Sequence, residues 1–369
     1  MTMRVAAIDC GTNSIRLLIA DLSEKTDQPE RVLGSSDPQP EPPLADVTRQ
    51  MRVVRLGEGV DRTGRLSEAA LDRTMTALRE YAALIAGAKP EAVRMVATSA
   101  TRDASNSQEF TDRVTAILGV APEVISGDEE ARLSFTGATR ELAGTPLAAK
   151  CLPPYLVTDI GGGSTEFVLG GPGGPGSQDR QLQGRSVNIG CVRMTERHLH
   201  GDPPARAEIE STVADIDAAL DQVTAAVKVD QARTLVGLAG SVTTVAAIAL
   251  GLDGYIPERI HHARIPAEQV QAITTRLLSQ TRAQRAAIPG MHPGRIDVIA
   301  AGALVLSRIM TRFGFPEVLV SEHDILDGIA WSLLPRQDRS FPVIPLGGNC
   351  LGESPFNKER GVFQSRISE

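Results

Sequence analysis

The sequence predicts an α/β protein made of two duplicated domains that face each other across a cleft. Its 369 residues exceed the usual size of one domain and favour two. Apolar strand patterns alternate with helical patterns along most of the chain, which is typical of an α/β fold. The most informative observation is an internal repeat. The segments VAAIDCGTNSIRLLIADL and YLVTDIGGGSTEFVLG share one plan: apolar strand, aspartate, turn of small residues, apolar strand.

The composition is that of a globular protein and argues against several functional classes. A net charge of −7 and an aromatic content of 3% argue against a nucleic-acid binder, which is usually basic and often stacks bases on aromatic rings. Cys10, Cys151, Cys191 and Cys350 are scattered, so we expect no disulfide framework or zinc site, and a reducing cytoplasm. The uncharged stretch 235–252 is rich in small residues, and we interpret it as a buried strand, a turn and a buried helix rather than a membrane span.

The first cycle of elements begins with a strand pair at residues 4–22 and continues with a surface loop at 29–46. The next strand is predicted at 51–56. Apolar residues at three- and four-residue steps then predict a helix from an N-cap at Ser67 to about residue 86. A strand at 92–100, a helix near 107–118 and a short strand EVIS complete this cycle.

The second cycle begins with a strand pair around the glycine turn, followed by a long loop at 170–184 and a strand at 185–190. The remaining elements are predicted as helices at 205–227, 242–250, 266–280, 296–313 and 324–334, with strands TLVGLAG and EVLVS between them. Residues 336–369 have no periodicity, and we expect a disordered or loosely attached tail.

Each repeat contains a turn that could bind phosphate: residues 11–14, the first turn, and residues 161–165, the second turn. Small residues let successive backbone N–H groups point at one anion. Asp9 and Asp159 cannot bind phosphate without a cation between them, so they imply Mg²⁺ or a similar ion, with Glu166 placed to help. The alternative is that both turns merely join the strands of hairpins. Two matched turns with aspartates argue against it.

Neither of the common glycine motifs for nucleotides is present. The glycines of GGGSTEF do not open a helix, which excludes the dinucleotide-binding fingerprint, and no G-x-x-x-x-G-K-[ST] segment exists.

The junction between the two repeats, ISGDEEARLSF, contains clustered carboxylates. Asp128, Glu129 and Glu130 can supply a general base that activates water. The alternative is a solvated helix start, where acidic residues interact well with the helix dipole. Arg102, just past a strand end, can bind phosphate bidentately or form an ordinary surface salt bridge.

Six segments resemble the successive signatures of the exopolyphosphatase/guanosine pentaphosphate phosphatase (Ppx/GppA) family. They are DCGTNSIRLLIA, ATSATRDASN, EVISGDEEARLSFTG, DIGGGSTEFVLG, VGLAGSVTTVAA and PGMHPGRIDVIAAGALVL. The resemblance runs from about residue 4 to residue 334, and it is to the short two-domain members. It implies an α/β fold of two duplicated actin-like, sugar-kinase-like (ribonuclease H-like) domains with an interdomain cleft. It also implies that the last helix returns to the first domain. Domain I would then comprise 1–126 plus 321–335, and domain II 127–320.

The resemblance also implies roles for individual residues. Glu130 matches the catalytic base, and Asp159 and Glu166 match the metal-associated acids, with Asp9 as a further candidate. The phosphate-binding positions would be Asn13, Ser14, Arg16 and Arg102 in domain I and Gly161, Gly162, Gly163, Ser164 and Thr165 in domain II. Arg264, Arg285, His292 and Arg295 are candidates for a basic track along the substrate, with ordinary surface charge as the alternative.

The expected activity is metal-dependent hydrolysis of the terminal phosphate of inorganic polyphosphate, with Mg²⁺ or Mn²⁺ as cofactor. We expect a cytoplasmic homodimer that binds neither nucleic acid nor membrane. One alternative is hydrolysis of guanosine pentaphosphate to the tetraphosphate at the same site. Another is a non-hydrolysing sensor of alarmone or polyphosphate, which the retained acidic residues argue against. A kinase of the same superfamily is disfavoured because no separate sugar site can be named.

Overall fold

The computed structural model of the protein describes residues 2–23, 44–140, 142, 151–171 and 182–334. The strands in this part of the chain are β1 (Thr2–Cys10), β2 (Ser14–Ser23), β3 (Leu44–Val53), β4 (Ala92–Ala97), β5 (Glu123–Val124), β6 (Tyr155–Ile160), β7 (Thr165–Gly170), β8 (Gln183–Val187), β9 (Thr234–Leu238), β10 (Arg264–Pro266) and β11 (Glu317–Val320).

The helices of the described residues separate these strands. They are α1 (Val60–Thr63), α2 (Glu68–Ala88), α3 (Ser99–Arg102), α4 (Ser107–Leu118), α5 (Gly127–Thr139), α6 (Cys191–His198), α7 (Arg206–Ala226), α8 (Ala239–Ala249), α9 (Pro257–Ile260), α10 (Ala267–Ser279), α11 (Arg282–Ala286), α12 (Ile299–Phe313) and α13 (Ile325–Ser332).

The strands form two mixed sheets with the same core order. The first sheet is ordered β3-β2-β1-β4-β5 and the second β10-β11-β9-β6-β7-β8. In each, an antiparallel meander of three strands (β1–β3 or β6–β8) continues into parallel neighbours (β4 and β5, or β9 and β11). The predicted duplicated α/β fold is therefore confirmed. We call the part that carries the first sheet the first half and the part that carries the second sheet the second half.

Both faces of the first sheet are covered, which explains why its strands are almost continuously apolar. Successive residues of a strand point to opposite faces. Ile8 packs under α2 and α4, whereas Val5 and Ala7 pack against α13 at the other face. The last helix thus lies on the first sheet although it follows β11 of the second.

The two chain segments that connect the halves cross each other with their backbones in contact. They are α5, which leads into the second half, and α13, which leads back. A Cβ on Gly328 of α13 would lie 2.0 Å from the carbonyl oxygen of Leu133, and one on Gly137 of α5 would lie 1.8 Å from that of Asp324. Only glycine permits this approach, so the crossing point depends on these two residues.

Most predicted elements agree with the structure. Ser67 accepts a hydrogen bond from the N–H of Ala70 and caps α2 as predicted. The stretch 235–252 forms β9 followed by α8, so the predicted strand and helix are confirmed, whereas the turn predicted between them is the first turn of α8. None of the helices in the described part of the chain combines the length and apolar character of a membrane span.

The prediction for the third strand was wrong at its boundaries. The strand was placed at 51–56, whereas β3 begins at Leu44 and ends at Val53, because it pairs with β2 back to Leu22. Its first residues are mostly polar and lie at the sheet edge, so no apolar alternation marks them. The tail at 336–369 and most of the two long loops lie outside the described residues.

Candidate active site

The first and second turns have the same closing hydrogen bond. The N–H of Gly11 donates to the carbonyl of Ser14 at 3.0 Å, and the N–H of Gly161 donates to the carbonyl of Ser164 at 3.1 Å. Each turn joins an aspartate-ending strand to its antiparallel partner at the edge where the halves meet. The sequence repeat therefore corresponds to a repeated turn geometry.

Each turn is anchored through its carbonyl groups. Those of the second turn accept hydrogen bonds from the start of α6, and those of the first from the segment after β3. The bonds are Cys191 N to Gly161 O, Val192 N to Gly162 O, Val54 N to Asn13 O and Gly57 N to Thr12 O. The N–H groups of Gly162 and Gly163 form no backbone hydrogen bond within the described part of the chain, nor do those of Thr12 and Asn13. Both turns can therefore offer N–H groups to an anion.

The two turns touch each other directly. A Cβ on Gly163 would lie 2.5 Å from Ser99 Oγ and 2.8 Å from Thr12 Oγ1, and one on Gly162 would lie 2.8 Å from Thr12 Cβ. Ser99 Oγ and Thr12 Oγ1 are themselves hydrogen bonded at 2.8 Å. The glycines of the second turn are thus required by the close approach of the first half.

Glu130 lies in the first turn of α5 and is buried beside Arg102. Arg102 Nη1 donates to Glu130 Oε2 at 3.1 Å and to the carbonyl of Ile125 at 3.0 Å. Burial raises the pKa of Glu130 to about 8; the Arg102 guanidinium opposes this rise, and the charges of Asp159 and Asp9 add to it. The acidic neighbours Glu129 and Asp128 lie at the same helix start. Of these three acids, Glu130 is the buried one: only 7% of its surface is exposed, and its side chain faces the site.

Asp159 and Glu166 face each other across the β6–β7 ladder. Asp159 accepts a hydrogen bond from Ser134 Oγ at 2.6 Å, and Glu166 accepts one from Ser186 Oγ at 2.7 Å. Burial raises the pKa of Asp159 to about 7, and burial together with the charge of Glu130 raises the pKa of Glu166. Neither carboxylate forms an ion pair with another described residue, although the charge of Arg16 opposes part of the rise in the pKa of Asp159.

Arg16 has a different setting from the one predicted. It donates to Asp9 Oδ2 from Nε at 3.0 Å and from Nη2 at 2.6 Å, and its Nη1 donates to Asp324. Arg16 therefore bridges two buried carboxylates of the first half and compensates the charge of one of them. Asp324 was not among the residues singled out from the sequence. Its position before the apolar helix α13, with Asp327 three residues later, is a capping-box signal that could have marked it.

The oxygen atoms near the two turns indicate whether a divalent cation could bind there. Asp159 and Glu166 are adjacent, buried and oxygen-bearing, which suits Mg²⁺ held partly by substrate phosphate and water. Asp9 Oδ1 is buried without a hydrogen-bond partner, whereas its other oxygen is bound to Arg16. No group of three or more His, Cys, Asp or Glu side chains in the described ranges is arranged to hold an ion by itself. The residues present fit a cation held by two carboxylates, not a closed protein cage.

The four candidates for a basic track do not share one environment. Arg264 pairs with Glu317 on the edge strand at 2.5 Å. Arg285 is buried and donates to the carbonyls of Ile296 and Gln280, so its role here is structural. The place of these two arginines in a basic track stays a prediction, and the contacts show that both guanidinium groups already have partners within the fold.

His292 and Arg295 lie closer to the turns. His292 Nδ1 accepts a hydrogen bond from the N–H of Gly294, which orients its ring within the loop. The Arg295 guanidinium covers Gly240 at the start of α8 and forms no ion pair with any described residue. Burial lowers the pKa of Arg295, and the nearby charge of Arg16 lowers it further. Of the four candidates, Arg295 is thus the cation available to an anion near the site.

Comparison with known proteins agrees with this arrangement. Residues 35–337 match the Ppx/GppA phosphatase family. Exopolyphosphatase 2 of Mycobacterium tuberculosis is 45% identical over 339 residues, covering 89% of this chain and 98% of that protein. The crystal structure of an exopolyphosphatase-like protein is 42% identical, has a TM-score of 0.80, and covers 90% of this chain and 97% of its own.

A more distant relative carries another activity in its name. It is the guanosine-5'-triphosphate,3'-diphosphate pyrophosphatase of Aeromonas hydrophila, 29% identical over 329 residues, with 89% of this chain and 59% of that protein covered. The family match, the sequence identity and the fold all indicate the same family. The chain belongs to the Ppx/GppA phosphatase family, and it is a hydrolase that acts on phosphoric anhydrides.

Proposed function

We propose that this protein is an exopolyphosphatase that removes the terminal phosphate of inorganic polyphosphate, with Glu130 as general base. The observation that carries the proposal is the position of Glu130. It is buried, paired with Arg102, and exposed to the charge of Asp159, beside two turns that each have N–H groups without a backbone partner among the described residues. The similarity to a protein named exopolyphosphatase over almost its whole length supports the substrate class.

In the proposed reaction the terminal phosphoryl group lies at the edge where the two touching turns meet. The N–H groups of Gly162 and Gly163 and those of Thr12 and Asn13 are available to its oxygens there. A water molecule attacks the terminal phosphorus in line with the bridging oxygen, and Glu130 accepts its proton. The bond from phosphorus to the bridging oxygen breaks, and orthophosphate and a chain one phosphate shorter leave.

Arg102 has two functions in this scheme. One of its nitrogens, Nη1, fixes Glu130 and the Ile125 carbonyl, and its remaining N–H groups can contact a phosphate oxygen. Ser14, Ser164 and Thr165 begin or flank the strands at the turns and keep the phosphate-binding roles assigned to them. Gly161 closes the second turn. Arg16 contributes through charge compensation of Asp9 and Asp324, because its own donors already bind these carboxylates.

Asp159 and Glu166 are proposed as the residues that hold Mg²⁺ or Mn²⁺. When bound, the ion supplies positive charge that offsets the charge of the phosphate oxygens. Ser134 and Ser186 orient the two carboxylates. Asp9 is a weaker candidate, because Arg16 already binds one of its oxygens.

The second candidate activity is hydrolysis of guanosine pentaphosphate to the tetraphosphate. The relative from Aeromonas hydrophila favours it, and the same terminal phosphoryl site serves both substrates. A sensor without hydrolysis is disfavoured because Glu130, Asp159 and Glu166 are all present and buried together.

We further propose a cytoplasmic homodimer whose domain I comprises 1–126 and 321–335 and whose domain II comprises 127–320. The packing of α13 on the first sheet supports this division.

One experiment compares phosphate release from short polyphosphate, long polyphosphate and guanosine pentaphosphate, each with and without Mg²⁺. We expect polyphosphate to give the highest kcat/KM and the activity to require the cation. Faster hydrolysis of guanosine pentaphosphate would favour the second candidate. Release of no phosphate from any of the three would refute both. If phosphate were released at the same rate in excess chelator as with Mg²⁺, the proposed requirement for a cation would be refuted.

A further inference from the structure

Arg193 lies where the two halves meet beside the second turn. It is the third residue of α6, and its side chain is 11% exposed. Its guanidinium donates from Nε to the carbonyl of Gly163 at 2.7 Å, from Nη1 to Asp61 at 2.5 Å and from Nη2 to Asp103 at 2.5 Å. Gly163 belongs to the second turn, whereas both aspartates belong to the first half. One side chain therefore joins the phosphate-binding turn of one half to two segments of the other.

The three acceptors suit an arginine in particular. A guanidinium is planar and offers its N–H groups in a fixed fork, so two carboxylates that hold Nη1 and Nη2 also fix the direction of Nε–H. Asp61 and Asp103 thereby determine how Arg193 holds the Gly163 carbonyl. A lysine ammonium at the same place is a single flexible charge and cannot bind the three acceptors in this way.

Asp103 also connects this contact to the general base. It follows Arg102 directly in the chain, and Arg102 donates to Glu130. Arg193 therefore fixes both the second turn and the backbone next to Arg102. The Gly163–Ser164 peptide of the second turn and the segment that carries Arg102 are thus held by the same guanidinium.

The contacts around Arg193 are polar and lie at the rim of the contact between the halves. Glu196 accepts hydrogen bonds from the N–H of Gly59 at 3.1 and 3.2 Å, and Arg197 donates to Asp61 and Asp215. Polar contacts of this kind between two parts of a chain resemble those of transient interfaces, which open more readily than an apolar core. The alignment made by Arg193 exists only while Asp61 and Asp103 remain in place.

We propose that Arg193 is a positioning residue that orients the Gly163–Ser164 peptide of the second turn toward Arg102 and Glu130 when the two halves are closed. The inference rests on the proposed function, since it concerns the same site. Arg193 does not touch the reacting atoms, and its effect passes through the Gly163 carbonyl. The second turn would therefore reach its phosphate-binding orientation only when the two halves close.

The test compares Arg193→Met with Arg197→Met, which leaves all three contacts of Arg193 intact. Steady-state hydrolysis of polyphosphate gives kcat and KM, and hydrogen–deuterium exchange follows the peptide 160–166 with and without inorganic phosphate. For Arg193→Met we expect kcat to fall by about ten- to a hundredfold, as for a misplaced catalytic group. We expect KM to change by less than about threefold. Exchange in 160–166 should become faster in Arg193→Met and stay unchanged in Arg197→Met.

A second variant separates positioning from stability. Arg193→Met leaves Asp103 without its ion-pair partner and Asp61 with Arg197 alone, and therefore also lowers stability. In Arg193→Met/Asp61→Asn/Asp103→Asn these charges are gone, and we expect the unfolding midpoint to recover while kcat stays low. Recovery of kcat together with the midpoint would overturn the proposal, as would an equal loss of kcat in Arg197→Met. If the wild-type protein released no phosphate from polyphosphate, the proposed function would fail, whereas the exchange measurement would still decide whether Arg193 orders the second turn.

Discussion

Arg16 and Glu166 occupy the same position in the two repeated hairpins. In the β1–β2 pair Arg16 lies opposite Asp9, and in the β6–β7 pair Glu166 lies opposite Asp159. The first hairpin therefore carries its own counter-charge, whereas the second presents two carboxylates to each other. This difference explains why the duplicated turns do not have duplicated chemistry. The first half holds one guanidinium between Asp9 and Asp324, whereas the second half carries the two carboxylates that we propose for a cation.

Replacement of Glu130 by glutamine should abolish turnover and spare binding. The amide keeps the shape of the side chain and its contact with Arg102 but cannot accept a proton from water. General bases contribute about 10²- to 10⁴-fold, so kcat should fall within that range. Phosphate release measures kcat, and titration with polyphosphate measures the dissociation constant. Glu129→Gln is the matched control, because Glu129 lies on the same helix but is more exposed. Near-normal phosphate release by the Glu130 variant would refute the assignment.

The stability of the protein without divalent cation should decrease as pH rises from about 4.5 to about 8. Burial raises the pKa of Glu130 to about 8 and that of Asp159 to about 7, so the folded state retains protons there that the unfolded chain has lost. Raised folded-state pKa values therefore favour folding at low pH, and this contribution is lost as pH rises toward them. Urea unfolding at several pH values measures the slope. Mg²⁺ should flatten it by stabilising the charged forms, as should Asp159→Asn. A slope that Asp159→Asn leaves unchanged would contradict this explanation.

Gly163→Ala should force the two turns apart. The new Cβ would lie 2.5 Å from Ser99 Oγ and 2.8 Å from Thr12 Oγ1, both closer than real contacts allow. Because small misplacements at a catalytic site are costly, we expect kcat/KM to fall by about a hundredfold. Gly171→Ala is the control, since a Cβ there meets nothing within 4 Å. Wild-type kinetics in the Gly163 variant would mean that the turns need not touch.

Arg295 and Arg285 should respond differently to the same substitution. Arg295 forms no ion pair with any described residue, so Arg295→Gln should raise KM for long polyphosphate by about tenfold, roughly the value of one charge-assisted hydrogen bond. Arg285 donates to buried carbonyls, so Arg285→Gln should instead lower the free energy of unfolding by about 1–3 kcal/mol and leave KM unchanged. Kinetics against chain length and urea unfolding separate the two effects. An unchanged length profile in the Arg295 variant would remove it from the substrate path.

Much of the fold could be predicted because its signals are local. Apolar runs, the N-cap at Ser67 and the repeated strand–turn–strand segments depend on neighbours in sequence, and the structure agrees with them. The third strand escaped prediction for the opposite reason: residues 44–50 are mostly polar and become a strand only because β2 offers them a partner. The repeat also indicated two facing turns, because equal sequence plans produce equal hairpins.

The sequence by itself determined the duplicated α/β architecture, the two turns of small residues and the acidic residues Glu130, Asp159 and Glu166. Only the tertiary structure decided what each charge does, because ion pairs form between residues far apart in the chain. The sequence made Arg16 a candidate for phosphate binding, and the fold pairs its guanidinium with Asp9 and Asp324. Arg193 drew no attention in the sequence, and it joins Gly163 to Asp61 and Asp103. Local pattern specifies which turn forms, whereas the partner of a charged side chain depends on which segments the fold brings together.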